Sequence, residues 1–265
     1  MVRDSNSAAD FLSFTNENGF PSLVNLEVNC RSPIVALHIF RAIHSTQLRD
    51  ITLHFHVVAS PVKATMAGLG GLFTFMASRP AWEQSIRSIS LSMGAHFMTA
   101  NDVRRLLPFN HLHHLTLDNT GLVLDDHLLD DMAKSWPMLK ELFITNACSP
   151  LPSNATLNGL VPFSRHCPKI ATLQLQLDAR EVPAFVNTTD ASWDECREGE
   201  RTAVLLCVEA TESAILDPTS VASFLLNLFP GIALSIMGDY GESQQDLLWR
   251  KVADITKGAP EVPTH

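Results

Sequence analysis

Histidines are the side chains of this sequence whose spacing most resembles a metal-binding pattern. His111, His113 and His114 form the densest cluster. In a β-strand, His111 and His113 would share one face and could hold a metal ion. His54 and His56 repeat this spacing. Because no third ligand follows either pair at a fixed spacing, we interpret both pairs as solvated strand residues and predict no metal site.

Four aspartates also stand close together in the sequence and could attract a divalent cation. They fall in the first two turns of a predicted helix, where the helix dipole favours negative charge. We therefore interpret them as a solvated helix face. These residues are Asp125, Asp126, Asp130 and Asp131.

A nucleophilic cysteine is the main catalytic candidate, because Cys167 directly follows His166. However, Cys167 precedes a proline, as do the bulky residues Phe20, Trp136 and Phe229 in other segments. This shared position indicates packing rather than catalysis.

The sequence contains no GxSxG, HExxH or kinase signature and no phosphate-loop pattern. We predict that the protein is not an enzyme and binds no cofactor.

Composition restricts the classes of protein further. The chain has 265 residues, a formal net charge of −9 and only 18% charged residues. Its negative charge would repel phosphate backbones, so we predict no nucleic-acid partner. No run of eighteen apolar residues exists, which excludes a membrane partner. Five scattered cysteines and the lack of a signal peptide favour a cytoplasmic or nuclear location.

An apolar pattern recurs along the whole chain. Its form is L-x-x-L-x-L, with Ile, Val or Ala replacing Leu at some positions. The copies begin at Leu23, Leu48, Ile86, Leu112, Leu139 and Ile170, and a weaker copy begins at Ala203. An eighth copy of irregular register lies near Ile232, Leu234 and Ile236, with its centre at about 232. Successive copies are 25 to 33 residues apart, except for one interval of 38. Such spacing predicts a repeat architecture.

Helices are predicted between the copies. Ser32 and Asp217 are N-cap residues that each precede a proline at the first helical position. Thr99 with Asp102 resembles a capping box. Apolar residues at helical spacing predict three further helices within 61–79, 124–136 and 157–163, the first weakened by Gly68, Gly70 and Gly71.

Strands and helices that alternate at this period predict an α/β leucine-rich-repeat solenoid of about eight units. Its parallel strands would line the concave face and its helices the convex face. We predict a lead-in at 1–20, the repeat domain at 21–240, a C-terminal capping helix at 241–258 and a disordered tail at 259–265. The polar stretch 187–201 would be a protruding loop.

The repeats resemble the leucine-rich-repeat region of F-box proteins from mushroom-forming (basidiomycete-type) fungi. The resemblance covers about residues 20–255 and is carried by segments 111–144, 157–179 and 204–230 and by the ending around Trp249. It implies the substrate-recognition part of a ubiquitin ligase. No F-box pattern precedes the first strand, so we expect no binding to a Skp1-type adaptor unless an F-box lies upstream.

The function that follows is non-catalytic recognition of protein targets, whose identity the sequence leaves open. Two alternatives remain: a repeat scaffold or regulatory protein unrelated to ubiquitin, and an enzyme on a repeat scaffold. Residues beside each central apolar position should face the concave surface and contact the partner. They are Asp50, Thr52, His54, Ser88, Ser90, Ser92, His114, Thr116, Asp118, Glu141, Phe143, Thr145, Thr172, Gln174 and Gln176. Phe143 is either an aromatic anchor of that contact or a side chain that packs under a neighbouring loop.

Overall fold

Strands and helices alternate along the chain, which confirms the predicted α/β class. The computed structural model describes residues 20–56, 63–93, 98–146, 153–184, 203–209, 213–237 and 243–258, with backbone alone for 63–67. The predicted loop 187–201 and the predicted tail 259–265 lie outside these ranges. Within the described ranges, no helix combines the length and the apolar character needed to cross a bilayer.

Each predicted strand is present. The strands are β1 (Asn25–Cys30), β2 (Asp50–Phe55), β3 (Ser88–Met93), β4 (His114–Asp118), β5 (Glu141–Thr145), β6 (Thr172–Leu175), β7 (Leu205–Glu209) and β8 (Ala233–Met237). The helices are α1 (Pro33–Arg41), α2 (Lys63–Ala77), α3 (Pro80–Ser85), α4 (Ala100–Arg104), α5 (Asp126–Ser135), α6 (Val161–His166), α7 (Pro218–Leu228) and α8 (Gln244–Gly258). A 3₁₀ turn, Leu157–Leu160, leads into α6.

The chain forms two compact units. The first contains the described residues up to Leu122 together with Thr145 and Asn146, and the second contains the rest. In the first unit, β1 to β4 pair in parallel and in chain order. In the second, β5 to β8 do the same. The predicted domain limits at residues 20, 240 and 258 stay predictions.

Buried apolar rows run across the strands of each unit. The central residues of the pattern lie opposite one another in the register, and all of them are buried. The residues two positions later are buried as well, except the half-buried Ile236 of β8, so one face of the strands forms the core. The central row is Leu26, Ile51, Ile89 and Leu115 in the first unit, and Leu142, Leu173, Leu206 and Leu234 in the second.

The predicted helix starts are confirmed in atomic detail. The Ser32 side chain accepts a hydrogen bond from Ile34 N, and Asp217 accepts from two backbone amides at the start of α7. Thr99 and Asp102 form the reciprocal bonds of a capping box at α4. These contacts satisfy amide donors that the helix itself leaves unpaired.

The glycines of α2 have a packing role that the sequence did not reveal. A Cβ atom at Gly68 would lie only 3.0 Å from Ile34 Cγ1 and 3.2 Å from Ile34 N. One at Gly70 would lie 3.1 Å from both Arg105 Nη1 and Asp102 Oδ1. The glycines that lower the helix propensity of α2 therefore let it approach α1 and the α4 region closely.

The interval of 38 residues between the second and third copies holds an additional helix, α3, that periodicity did not predict. Its Trp82 is buried, and the indole Nε1 donates to Ser45 O at 2.7 Å. The ring meets Phe40 edge to face, with 5.8 Å between centroids. Helix α3 thus packs against α1 as a second helix, after α2, in the interval between β2 and β3.

The eighth copy was predicted with its centre near Ile232, and this placement was wrong. The register pairs Leu206 with Leu234, so Leu234 is the central residue. Gly231, with a φ of +80°, occupies the first position of that copy, where the other copies carry an apolar residue. Helix α8 follows β8 and buries Trp249, whose Nε1 donates to Ser213 O at 2.8 Å.

Truncation of a central residue should destabilise its unit. Leu115 and Leu142 are both 0% exposed. Replacement of either by Ala should lower the free energy of unfolding by about 2–5 kcal/mol, because apolar burial is lost and a cavity remains. Urea unfolding measures the change, with the half-buried Ser90→Ala as the control. A loss below about 1 kcal/mol for both leucines would contradict the assigned core.

Candidate functional site

The outward face of the first unit is polar. Its side chains alternate with the buried rows, so they share the opposite face of the sheet. In register order, the three outward rows are Asn25, Asp50, Ser88 and His114; Glu27, Thr52, Ser90 and Thr116; and Asn29, His54, Ser92 and Asp118. Asn25, Glu27 and Asp50 are exposed and the others are half-buried. The predicted outward positions of this unit therefore do share one face.

Asp118 is the centre of a hydrogen-bond network on this face. Its Oδ2 accepts from Ser92 Oγ at 3.1 Å, and its Oδ1 accepts from Thr145 Oγ1 at 2.6 Å. The side-chain amide of Asn119 also donates to Oδ1, at 3.1 Å. The carboxylate thus ties β3 and Thr145 to β4 and gives this part of the face a fixed arrangement.

The candidate histidine ligands make contacts with neighbouring side chains. His56 Nε2 lies 3.4 Å from Asn29 Oδ1, and the rings of His113 and His114 meet edge to face at 6.1 Å. Within the part of the chain that the structure describes, no three His, Cys, Asp or Glu residues are placed to hold a metal ion.

The acidic cluster is tied into local structure. Asp125 caps α5 by accepting from Leu128 N at 2.7 Å. Both carboxylate oxygens of Asp126 accept from Thr156, one from its amide and one from its hydroxyl, each at 2.7 Å. Asp130 pairs with Lys134 one turn later. Asp126 therefore holds the chain before the 3₁₀ turn against α5.

The outward face of the second unit is less accessible than the sequence suggested. Glu141, Phe143 and Thr172 are half-buried. Gln174 and Gln176 are only 8% and 3% exposed. Gln174 lies between Phe143 and Cys207 in the register, which limits its contact with solvent. The Gln176 amide donates to Glu209 Oε2 at 3.0 Å, so this side chain links neighbouring strands.

Sequence reasoning missed the outward residues of β7 and β8. Leu205 and Ala233 are register partners and both are exposed. Met237, which lies four residues after Ala233 on the same face of β8, is 41% exposed, and Leu205 is 37% exposed. We call the exposed Leu205, Ala233 and Met237, together with the buried Cys207, the apolar strand patch. On the same face, the polar Ser235 lies opposite Cys207 and Glu209 lies opposite Met237. The alternation rule applied to the seventh and eighth copies would have found it, had the eighth register been read correctly.

Cys167 is held as a neutral, buried thiol. Its Sγ lies 3.4 Å from Trp136 O and 3.5 Å from Ala133 O. Burial raises the pKa of the Cys167 thiol to about 12, which suppresses the nucleophilic thiolate. Its neighbours are those of a packing residue, in agreement with its position in the repeat.

Comparisons with family models and with curated proteins find no match. The chain matches no family model, and no curated protein is similar to it at a significant level. The function therefore has to be argued from the residues and their arrangement.

Removal of the Asp118 carboxylate should loosen the strand face of the first unit. Asp118→Ala leaves the Ser92 and Thr145 hydroxyls without their acceptor. Hydrogen bonds to charged groups are worth about 1.5–3 kcal/mol, and partial exposure lowers this value. We expect a loss of about 1–2 kcal/mol in urea unfolding, against less than about 0.5 kcal/mol for Thr52→Ala. Equal effects would show that the network is not structural.

Cys167 should resist thiol reagents while the protein is folded. At pH 8, a thiol with this raised pKa is almost wholly protonated, and its burial blocks access. Iodoacetamide labelling followed by mass spectrometry of the Cys167 peptide should show modification only after denaturation in urea. Rapid labelling of Cys167 in the folded protein would contradict the packing role and reopen the nucleophile hypothesis.

Proposed function

We propose that this chain is a leucine-rich-repeat solenoid that recognises other proteins without catalysing a reaction. By its resemblance, it would be the target-binding part of an F-box receptor of a ubiquitin ligase. One parallel strand per copy of the apolar pattern supports the repeat assignment, as does a helix in every interval between successive strands except the partly described one between β6 and β7. Stacked repeats present a continuous row of strand side chains, which is the surface that such proteins use for binding.

The apolar strand patch is the observation that carries this proposal. In the first unit, the outward strand positions hold asparagine, serine, threonine, histidine and acidic residues, as solvent requires. On β7 and β8, the equivalent positions instead expose Leu205, Ala233 and Met237. Exposed apolar side chains that cluster beside polar ones are typical of protein-binding surfaces.

The polar residues of the strand face favour a binding role over a catalytic one. Asp118 accepts three hydrogen bonds from neighbouring side chains, and Gln176 bonds to Glu209. These side chains are occupied in holding strands together. A general base would need an acceptor atom open to a substrate, and a general acid would need a transferable proton there.

A binding experiment on strand-face variants tests the proposal. Partners should be captured by the tagged wild-type chain after cross-linking and identified by mass spectrometry. Leu205→Ala, Met237→Ala and Phe143→Ala should each weaken binding of the captured partner at least tenfold, because truncation of an interface anchor costs about 2 kcal/mol or more. Calorimetry with the purified partner measures the affinity.

Matched controls separate recognition from stability. Leu247→Ala and Ile255→Ala remove exposed apolar side chains of α8 and should leave the affinity unchanged. If Phe143→Ala lowers the melting temperature as much as Leu142→Ala, then Phe143 is a packing residue. Affinities equal to wild type for all three strand-face variants would overturn the proposed binding surface.

The ubiquitin part of the proposal has its own readout. Loss of the gene should raise the abundance of the captured partner and reduce its ubiquitin conjugates. Unchanged abundance and conjugation would favour a repeat scaffold unrelated to ubiquitin, while the binding surface itself would stand.

A further inference from the structure

A second surface lies at the amino-terminal end of the strands in the first unit. A cavity of about 410 Å³ opens where β1, β2 and β3 begin. Its lining includes Arg49, Arg87, Gln47, Gln84 and Ser85, and every lining residue except Val24 is polar. We call this cavity the edge groove. None of its residues belongs to the outward strand face.

The backbone brings the two arginines of the edge groove together. Each immediately precedes a strand, Arg49 before β2 and Arg87 before β3. The Arg87 amide donates to Arg49 O at 2.8 Å, and the Arg49 amide donates to Val24 O at 2.7 Å. Because paired strands lie about 4.8 Å apart, the two side chains leave the backbone as close neighbours.

The guanidinium group of Arg87 is held in place by the protein. Its Nη1 donates to Gln84 O at 2.6 Å and to Ile86 O at 3.1 Å. Among the described residues, its Nε and Nη2 donors have no hydrogen-bond partner. A fixed arginine with remaining donors loses little conformational entropy when it binds a ligand.

Neither arginine forms an ion pair within the described part of the chain. No salt bridge joins Arg49 or Arg87 to a carboxylate there. Asp50, the acidic residue next to Arg49 in sequence, accepts a hydrogen bond from the Asn25 amide at 2.7 Å in the amide orientation that satisfies both groups. Two neighbouring guanidinium groups are thus left without a direct carboxylate contact among the described residues.

We propose that the edge groove binds an acidic segment of a protein partner. An arginine fork takes a carboxylate through two parallel hydrogen bonds, and two forks side by side suit two acidic side chains. The amides of Gln47 and Gln84 add neutral donors to the same ligand. The inference rests on the proposed function, because the ligand is a segment of the protein partner. It adds that this partner carries acidic side chains where it meets the edge groove.

Other ligand classes fit the edge groove less well. Sites for small molecules are lined mainly by apolar and aromatic side chains, whereas this lining is almost wholly polar. Nucleic acid extends far beyond one groove and would meet the net negative charge of the protein. A short acidic segment avoids most of that repulsion, since charges beyond about 8–10 Å are screened at physiological salt.

Fluorescence anisotropy with a defined probe tests the inference on the full chain. The probe is a fluorescein-labelled peptide, Gly-Glu-Glu-Gly-Glu-Glu-Gly, and its glutamine counterpart is the negative probe. The glutamate peptide should bind saturably, and the double variant Arg49→Gln, Arg87→Gln should weaken binding at least tenfold. Arg49→Gln alone should weaken it at least threefold, and this exposed residue makes no side-chain hydrogen bond within the described chain.

The matched control removes the same charge elsewhere. The double variant Arg41→Gln, Arg250→Gln replaces two exposed arginines and should keep the affinity within twofold of wild type. An equal loss in this control would mean that only net charge matters, and would overturn the site. Tighter binding of a labelled single-stranded oligonucleotide through Arg49 and Arg87 would replace the acidic segment by nucleic acid. Absence of saturable binding by the glutamate peptide would also overturn the proposed site in the edge groove.

Failure of this inference differs from failure of the proposed function. If the Arg49→Gln, Arg87→Gln variant binds the captured partner as tightly as wild type, the edge groove is not used and the strand-face proposal stands. If the strand-face variants bind normally while this double variant loses binding, the edge groove is the contact and the strand-face proposal fails.

Discussion

The parallel register of the strands is the constraint on which the rest of the structure depends. Within each unit, central residues of the repeat lie opposite one another and are buried, as Ile51 and Ile89 illustrate. Since side chains alternate along a strand, burial of one set assigns the residues between them to the opposite face. A shift of one residue in any pairing would place polar side chains in the core. The same constraint therefore holds the fold together and selects the residues available for binding.

Much of this arrangement could be read from the sequence because it follows from local rules. The spacing of Leu, Ile and Val predicts every strand, and Ser32, Thr99 and Asp217 mark helix starts through their own hydrogen bonds. Features that depend on contacts between distant segments were not predicted. Helix α3 is stabilised by Trp82 reaching Ser45, and a six-residue segment shows little periodicity of its own.

The exposure of side chains on the strand face could not be predicted from the sequence either. Alternation assigns Gln174 and Gln176 to the outward side correctly, yet it carries no information on how far neighbouring side chains cover them. Exposure depends on the size of residues in adjacent strands, such as Phe143. Gly231 replaces the first apolar residue of the eighth copy, so the register there was misread and the exposed Met237 went unnoticed.

Two chemically distinct surfaces are proposed here, the edge groove in the first unit and the apolar strand patch in the second. The apolar strand patch supplies area that a partner can remove from water, and the edge groove supplies charge that can select among partners. Both follow from positions relative to a strand: the patch from outward residues within strands, and the groove from residues just before them. Variation at these positions leaves the buried rows intact, so recognition and stability are separable.

Side-chain footprinting with hydroxyl radicals tests the central claim most directly, namely that outward strand residues recognise protein while the buried rows only support them. In the free protein, Met237 should be oxidised readily and the buried Met132 should not. In complex with the captured partner, oxidation of Met237 and Leu205 should fall sharply, while Leu247 and Ile255 of α8 should react as before. Protection of Leu247 and Ile255, with Met237 still fully reactive in the complex, would contradict the account.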